Sequence, residues 1–294
     1  VFKHNHFISI GGVIMKKIAI IGAGSMAEAL ISGIIENELI DKKHIWVTNH
    51  GNKNRLQLLE ERYGISSTYE LNTLFEGADI VMLAMKPKDA ESAVDKIREY
   101  LTEDMLIVSV LAGVSMSTIE TLARKPLSIA RSMPNTSAAV GKSATAIAVN
   151  ERVTTEQLET IKSLFETVGL AKLVEEEQLD AVTGLSGSGP AYIYYLIEAM
   201  ENSADEIGLD KQIAQELIVQ TLIGAAEMVK NSTKSPEQLR REVTSPGGTT
   251  EAGIHVLEEY GVQQAFISCI KAATEQSKKM GKALSSDLNV GKSL

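Results

Sequence analysis

The chain has 294 residues, 44% hydrophobic and 23% charged, with a net charge of −9. The acidity argues against a nucleic-acid partner, and no apolar run reaches the length of a membrane span. The length suits one large or two medium domains whose core needs no staples.

Cys269 is the only cysteine. An internal disulfide is thereby excluded, and a reducing, cytoplasmic location is expected. Its apolar neighbours predict a buried helix position. Residues 1–14 show no amphipathic pattern. Val1 where Met should stand reads as a GTG start, and Gly11-Gly12-Val13 as a ribosome-binding site translated in frame. Met15 is therefore the expected natural start, with residues 1–14 a mis-called or disordered leader. The intact mass of the native protein checks this; a species retaining Val1 or Phe2 overturns it.

Residues 16–21 are a short β-branched apolar run, predicted as a buried strand. Gly22-Ala23-Gly24-Ser25-Met26-Ala27 follows, and residues 28–37 show helical periodicity. In a strand, Gly-x-Gly-x-x-Ala turn and helix, the first glycine permits the tight turn. The second lets a pyrophosphate approach the backbone, and the small third residue lets helix pack on strand. Residues 44–48 read as the second strand. It ends at Asn49 with no acid to hold a ribose 2′-hydroxyl. Lys53 and Arg55 stand close by for a 2′-phosphate, so NADP is favoured over NAD.

A helix is expected over 56–63, a weak strand over 65–68, a short helix over 72–76 and a strong buried strand over 78–85. Lys86 then sits where ligands bind in open α/β sheets, and Pro87 opens a helix running to 100. Further strands are expected over 105–111, 127–131, 145–149 and 171–174, with a helix over 154–168. Seven or eight strands alternating with helices predict a doubly wound sheet.

Beyond about residue 176 strand signals vanish. Helices are predicted to follow Pro190 as far as 207, then over 211–230, 236–243, 250–260 and 262–279. Ala191, Ile193, Ala199, Ile218, Ile223 and Ala225 place small or apolar groups on faces that one small domain cannot hide, so an intertwined dimer is expected. The domains are thus residues 15–176, a Rossmann-type α/β sheet, and 177–282, an all-α dimerisation and substrate domain. A structureless tail, 283–294, follows.

Thr244-Ser245-Pro246-Gly247-Gly248-Thr249-Thr250 is the least ordinary stretch. Alone it reads as a connector between helices, with Thr249 or Thr250 as the cap of the next one. Its backbone amides would also suit a small carboxylate. Metal-ligand spacing and a nucleophile with a His partner are both lacking, and no metal is expected. Glu175-Glu176-Glu177 reads as a solvated interdomain edge.

The ordered set IGAGSMAEAL (21–30), AMKPKD (84–89), SVLAGV (109–114), RSMPNT (131–136), SGSGPAY (186–192) and TSPGGTTEAG (244–253) resembles the pyrroline-5-carboxylate reductase family. The likeness covers residues 16–280. It implies reduction of a cyclic imine to L-proline by NADPH or NADH, the last step of proline synthesis. It also implies a homodimer through the helical domain, with a ring of dimers as a further assembly.

By this resemblance Gly22, Ala23, Gly24, Ser25 and Met26 cradle the pyrophosphate. Asn49 and Arg55 flank the 2′-phosphate, and Asn72 touches the adenine ribose. Ala84, Lys86, Pro87, Ala112 and Gly113 line the cofactor, with Asn135 near its nicotinamide end. Ser245, Gly247, Gly248 and Thr249 hold the substrate carboxylate, and Thr250 places a hydroxyl by the ring nitrogen. Which subunit's loop completes each site stays open. A hydroxyacid or ketopantoate dehydrogenase shares the architecture but needs a catalytic Lys that has no counterpart here. A non-catalytic relative would have lost the glycine turn or the Thr pair; both are intact.

Overall fold

The computed structural model describes residues 17–290, with side chains as far as Lys282. Residues 1–16, including the expected leader and the Met15 start, lie outside the described residues. So do 291–294 of the tail.

Eight strands form among the described residues: β1 (Ile18–Ile21), β2 (Ile45–Thr48), β3 (Ser66–Ser67), β4 (Ile80–Leu83), β5 (Leu106–Ser109), β6 (Ser128–Met133), β7 (Ser143–Val149) and β8 (Gly169–Leu173). They make one sheet in the order β3-β2-β1-β4-β5-β6-β7-β8. β1 pairs in parallel with both β2 and β4, so the chain reverses its direction of winding beside β1.

The helices between strands are α1 (Ser25–Glu36), α2 (Lys53–Tyr63), α3 (Leu71–Phe75), α4 (Ala90–Ile97), α5 (Met116–Ala123) and α6 (Thr155–Glu166). Strand side chains alternate between faces. Ile18 and Ile20 meet Leu30, Ile31 and Ile34 of α1 and Phe165 of α6. Ala19 and Ile21 share the opposite face with Val94 of α4 and Ile119 of α5. Both faces are covered, as a parallel sheet with near-continuous apolar strands requires.

Three features depart from the sequence reading or add to it. β6 and β7 are antiparallel, because the connection from Pro134 to Lys142 is too short for a crossover helix. The single helix expected over 87–100 is broken: a 3₁₀ turn at Pro87–Asp89, then α4, then a 3₁₀ turn at Arg98–Tyr100. Helix α5 was not anticipated; Ser115 caps it by accepting from the Thr118 amide.

α7 (Leu179–Val182) leads into a five-residue π-turn, Thr183–Gly187. Then come α8 (Gly189–Glu206), α9 (Lys211–Asn231), α10 (Pro236–Glu242), α11 (Thr249–Glu259) and α12 (Val262–Val290). α12 outruns its predicted end, so the tail expected to lack structure is helical as far as Val290.

Contacts divide the chain into two units. One extends to Ser188 and resumes at Ala273; the other is Gly189–Ala272. In the first, Ser277 of α12 donates to Asp180 at 2.6 Å. Gly281 lies so close to Gly113 that an added Cβ would stand 2.7 Å from the Gly113 carbonyl oxygen. In the second, only Ala204, Ala214 and Ile218 are buried apolar residues, while Tyr194, Tyr195, Leu217, Ile223 and Tyr260 are exposed. Cys269, expected to be buried, is exposed there, because the helices of this unit have few neighbours within it. Among the described residues no helix is long and apolar enough to cross a membrane.

Candidate active site

The carboxyl ends of β1, β2, β4, β5 and β6 share one edge of the sheet, beside the reversal at β1. Such an edge is where open α/β sheets bind ligands. Gly22 leaves β1 at φ +114°, and its amide donates to Thr48. A Cβ there would stand 2.5 Å from the Ala84 carbonyl carbon, so only glycine lets these two strand ends meet.

Gly24 occupies the N-cap of α1, and no side chain caps the helix. A Cβ at Gly24 would meet nothing within 4 Å. Space is therefore open over an uncapped helix N-terminus with free amides, which fits the diphosphate of a dinucleotide.

Asn49 organises the loop after β2. Its Oδ1 accepts from the Gly51 and Asn52 amides and from the Tyr69 hydroxyl, and its Nδ2 donates to the Asn52 carbonyl. Asn52 in turn caps α2 by accepting from the Arg55 amide at 3.0 Å. The Arg55 side chain turns back on the glycine turn. Nε donates to the Ala23 carbonyl at 2.8 Å and Nη2 to Glu28 at 2.5 Å.

Glu28 also receives Arg62 at 3.0 Å and the Tyr63 hydroxyl at 3.1 Å. Burial alone would raise the Glu28 carboxyl. Hydrogen bonds from Arg55 and Tyr63 and the two guanidinium charges outweigh it, holding the carboxyl below the ordinary glutamate range. Burial, and then the bond to Glu28, push the Tyr63 phenol up.

Ala84, Lys86 and Pro87 follow β4, and Lys86 is exposed. Ala112 and Gly113 follow β5. Asn72 is exposed on α3, which follows the edge strand β3 in the chain. Asn135 follows β6, caps the 3₁₀ turn Thr136–Val140 and is buried. Its Nδ2 donates to the Ser186 carbonyl at 3.0 Å, and its Oδ1 accepts from the Ser137 amide. In the π-turn the Ser188 amide reaches back to the Thr183 carbonyl at 2.9 Å, and Gly187 leaves room for the Met133 side chain.

Glu176 is no solvated edge. It pairs with the buried Arg131 at 3.2 Å and accepts from the Met116 amide at the start of α5. Sequence reading treated three consecutive acids alike and could not see which one the fold would turn inward.

In the second unit, residues 244–250 enter α11. The N-cap is Gly248, with no side-chain cap, so neither Thr249 nor Thr250 caps the helix as expected. The Gly247 amide is taken by Glu251 at 2.8 Å and that of Gly248 by the Ser245 carbonyl. The amides open to a carboxylate are those of Thr249, Thr250 and Glu251, which precede the first helical bond, Ala252 to Gly248.

The family model described as pyrroline-5-carboxylate reductase dimerisation matches residues 176–280. The one described as NADP oxidoreductase, coenzyme F420-dependent, matches residues 17–113. Pyrroline-5-carboxylate reductase 2 of Bacillus subtilis is 47% identical over 266 residues, 90% of this chain and 95% of the relative. The chain belongs to the pyrroline-5-carboxylate reductase family.

Among solved structures, the pyrroline-5-carboxylate reductase of Coxiella burnetii is 37% identical. The TM-score is 0.83, with 90% of this chain and 98% of that one covered. The Plasmodium falciparum pyrroline carboxylate reductase, solved with NADP bound, is 29% identical with the same TM-score and coverage. The likeness takes in both the Rossmann-type sheet and the helical region.

Proposed function

We propose that this protein reduces 1-pyrroline-5-carboxylate to L-proline, with NADPH as the preferred reductant and NADH as a second. The observation that carries the reading is the near full-length likeness to pyrroline-5-carboxylate reductases, joined to an open, uncapped helix N-terminus at Gly24. NADPH supplies the hydride that forms the new C–H bond at the imine carbon. The C=N electron pair passes to nitrogen, which takes a proton.

The chain's own groups bind and orient. Gly22, Ala23, Gly24, Ser25 and Met26 receive the diphosphate. Asn49 shapes the loop on the adenosine side, with Lys53 and Asn72 exposed. Ala84, Lys86, Pro87, Ala112, Gly113 and Asn135 define the rest of the edge. In the loop after α10, the free amides at the start of α11 and the Ser245 and Thr249 hydroxyls hold the substrate carboxylate, with Gly247 and Gly248 shaping the turn. Thr250 presents a hydroxyl to the ring nitrogen and relays a proton from water; a neutral threonine is no strong acid.

The exposed apolar faces of the second unit and the match to a dimerisation model support a homodimer; a ring of dimers and a cytoplasmic location complete the proposal. Sedimentation of the purified protein tests the assembly. The decisive assay is NADPH oxidation with pyrroline-5-carboxylate, set against hydroxyacids run in reverse. Oxidation of a hydroxyacid with no turnover of the imine would overturn the reading.

A further inference from the structure

Arg55 was expected at the 2′-phosphate, yet its side chain is held elsewhere. Its backbone is fixed as the third residue of α2 through the Asn52 cap. Its Nε donates to the Ala23 carbonyl and its Nη2 to Glu28, and the side chain is 24% exposed. Glu28, in the first turn of α1, is fixed in turn by Arg62 and Tyr63 from the end of α2.

The Ala23 carbonyl belongs to the peptide that carries the Gly24 amide. A trans peptide is planar, and its C=O and N–H point in opposite directions. A donor that fixes one therefore aims the other. With Arg55 on the carbonyl, the Gly24 N–H points away from α2 and has no protein acceptor among the described residues. Gly24 has no side chain to hold this peptide, and its surroundings leave open space.

We propose that Arg55 is a positioning residue that aims the Gly24 amide at the dinucleotide diphosphate, with Glu28 as its anchor. The diphosphate is common to NADPH and NADH, so Arg55 supports both equally and does not set the choice between them. Glu28 keeps the guanidinium on the carbonyl and neutralises a charge that would otherwise be drawn to the cofactor's phosphates. Arg62 offsets the remaining carboxylate charge from the solvent side. The inference rests on the dinucleotide part of the proposed function and is independent of the imine.

The test uses the full chain without substrate. Wild type, Arg55→Ala, Arg55→Lys and Glu28→Gln are titrated calorimetrically with NADPH, NADH and adenosine 2′-monophosphate. Arg55→Ala is expected to weaken both dinucleotides by the same factor, about tenfold, the scale of one lost charge-assisted bond. Arg55→Lys keeps the charge without the forked donors and should fall between. Glu28→Gln should weaken both equally by a smaller factor. Adenosine 2′-monophosphate, which lacks the diphosphate, should bind all four proteins alike.

A loss for NADPH that clearly exceeds the loss for NADH, or a loss of adenosine 2′-monophosphate binding, would place Arg55 at the 2′-phosphate and overturn the proposal. Unchanged binding of both dinucleotides would overturn it too. Should Arg55→Ala fail to fold, Arg55→Lys and Glu28→Gln carry the same comparison. A wild type that binds both dinucleotides but does not reduce the imine would sink the functional reading and leave this inference standing.

Discussion

Asn135 Nδ2 donates to the Ser186 carbonyl, joining the segment after β6 to the π-turn that precedes α8. The bond is partly buried. Asn135→Ala should cost about 1–2 kcal/mol in urea unfolding, since it leaves a carbonyl without its donor. Asn135→Asp should cost more, because an acceptor then faces an acceptor. Equal stability of all three proteins would show that this bond carries no weight.

Gly22 and Gly24 look alike in the motif but are held for different reasons. Gly22→Ala meets both a left-handed φ and the Ala84 backbone, so it should destabilise by about 3 kcal/mol or more. Gly24→Ala meets no protein atom and should keep its melting temperature within about 2 °C. It fills the cradle instead, and should weaken NADPH binding about tenfold. Melting curves and dinucleotide titrations of the two variants separate the roles.

Arg131 is 8% exposed and Glu176 26%. Removing the acid strands a buried guanidinium, so Glu176→Ala should cost about 2–3 kcal/mol, less than a wholly dry pair. The double variant Arg131→Met, Glu176→Leu should recover most of that loss. If the double variant is as unstable as the sum of its parts, the pair is not coupled as described.

The Glu28 carboxyl is held below its ordinary range in the folded protein. Its contribution is therefore present at neutral pH and is lost as pH falls through the folded value. Wild type should lose stability below about pH 5 more steeply than Glu28→Gln, while Glu28→Gln is the less stable protein at pH 7. Urea midpoints across that range supply the check. Parallel curves would mean that Glu28 titrates normally.

Thr250→Ala should lower turnover with pyrroline-5-carboxylate about tenfold or more while NADPH affinity stays within about twofold. Steady-state kinetics beside a dinucleotide titration distinguishes the two. Undiminished turnover would remove the Thr250 hydroxyl from the reaction.

Much of the sheet is readable because its strands carry continuous β-branched runs and the glycine turn follows β1 at once. α5 escaped because residues 115–124 hold hydroxyls and a single short apolar face, and its stability comes from a Ser115 cap and from packing on α4. The antiparallel β7 depends on the length of one connection, which composition does not encode. At the candidate site, residue types at strand ends are visible in sequence, but commitments are not. Arg55 and Lys53 look equally available beside Asn49; only the fold turns Arg55 onto Ala23. The same holds at Gly247, whose amide looks free until Glu251 is seen to take it.

The contact of Gly281 with Gly113 has a consequence for how the molecule is made. All eight strands, and the loop after β5, leave the ribosome long before Gly281 is added. Domains fold as units while synthesis proceeds. A nascent chain therefore carries its whole sheet while that loop still waits for the helix behind it. A chain cut ahead of Gly281 is expected to leave the loop at Gly113 without that backing contact.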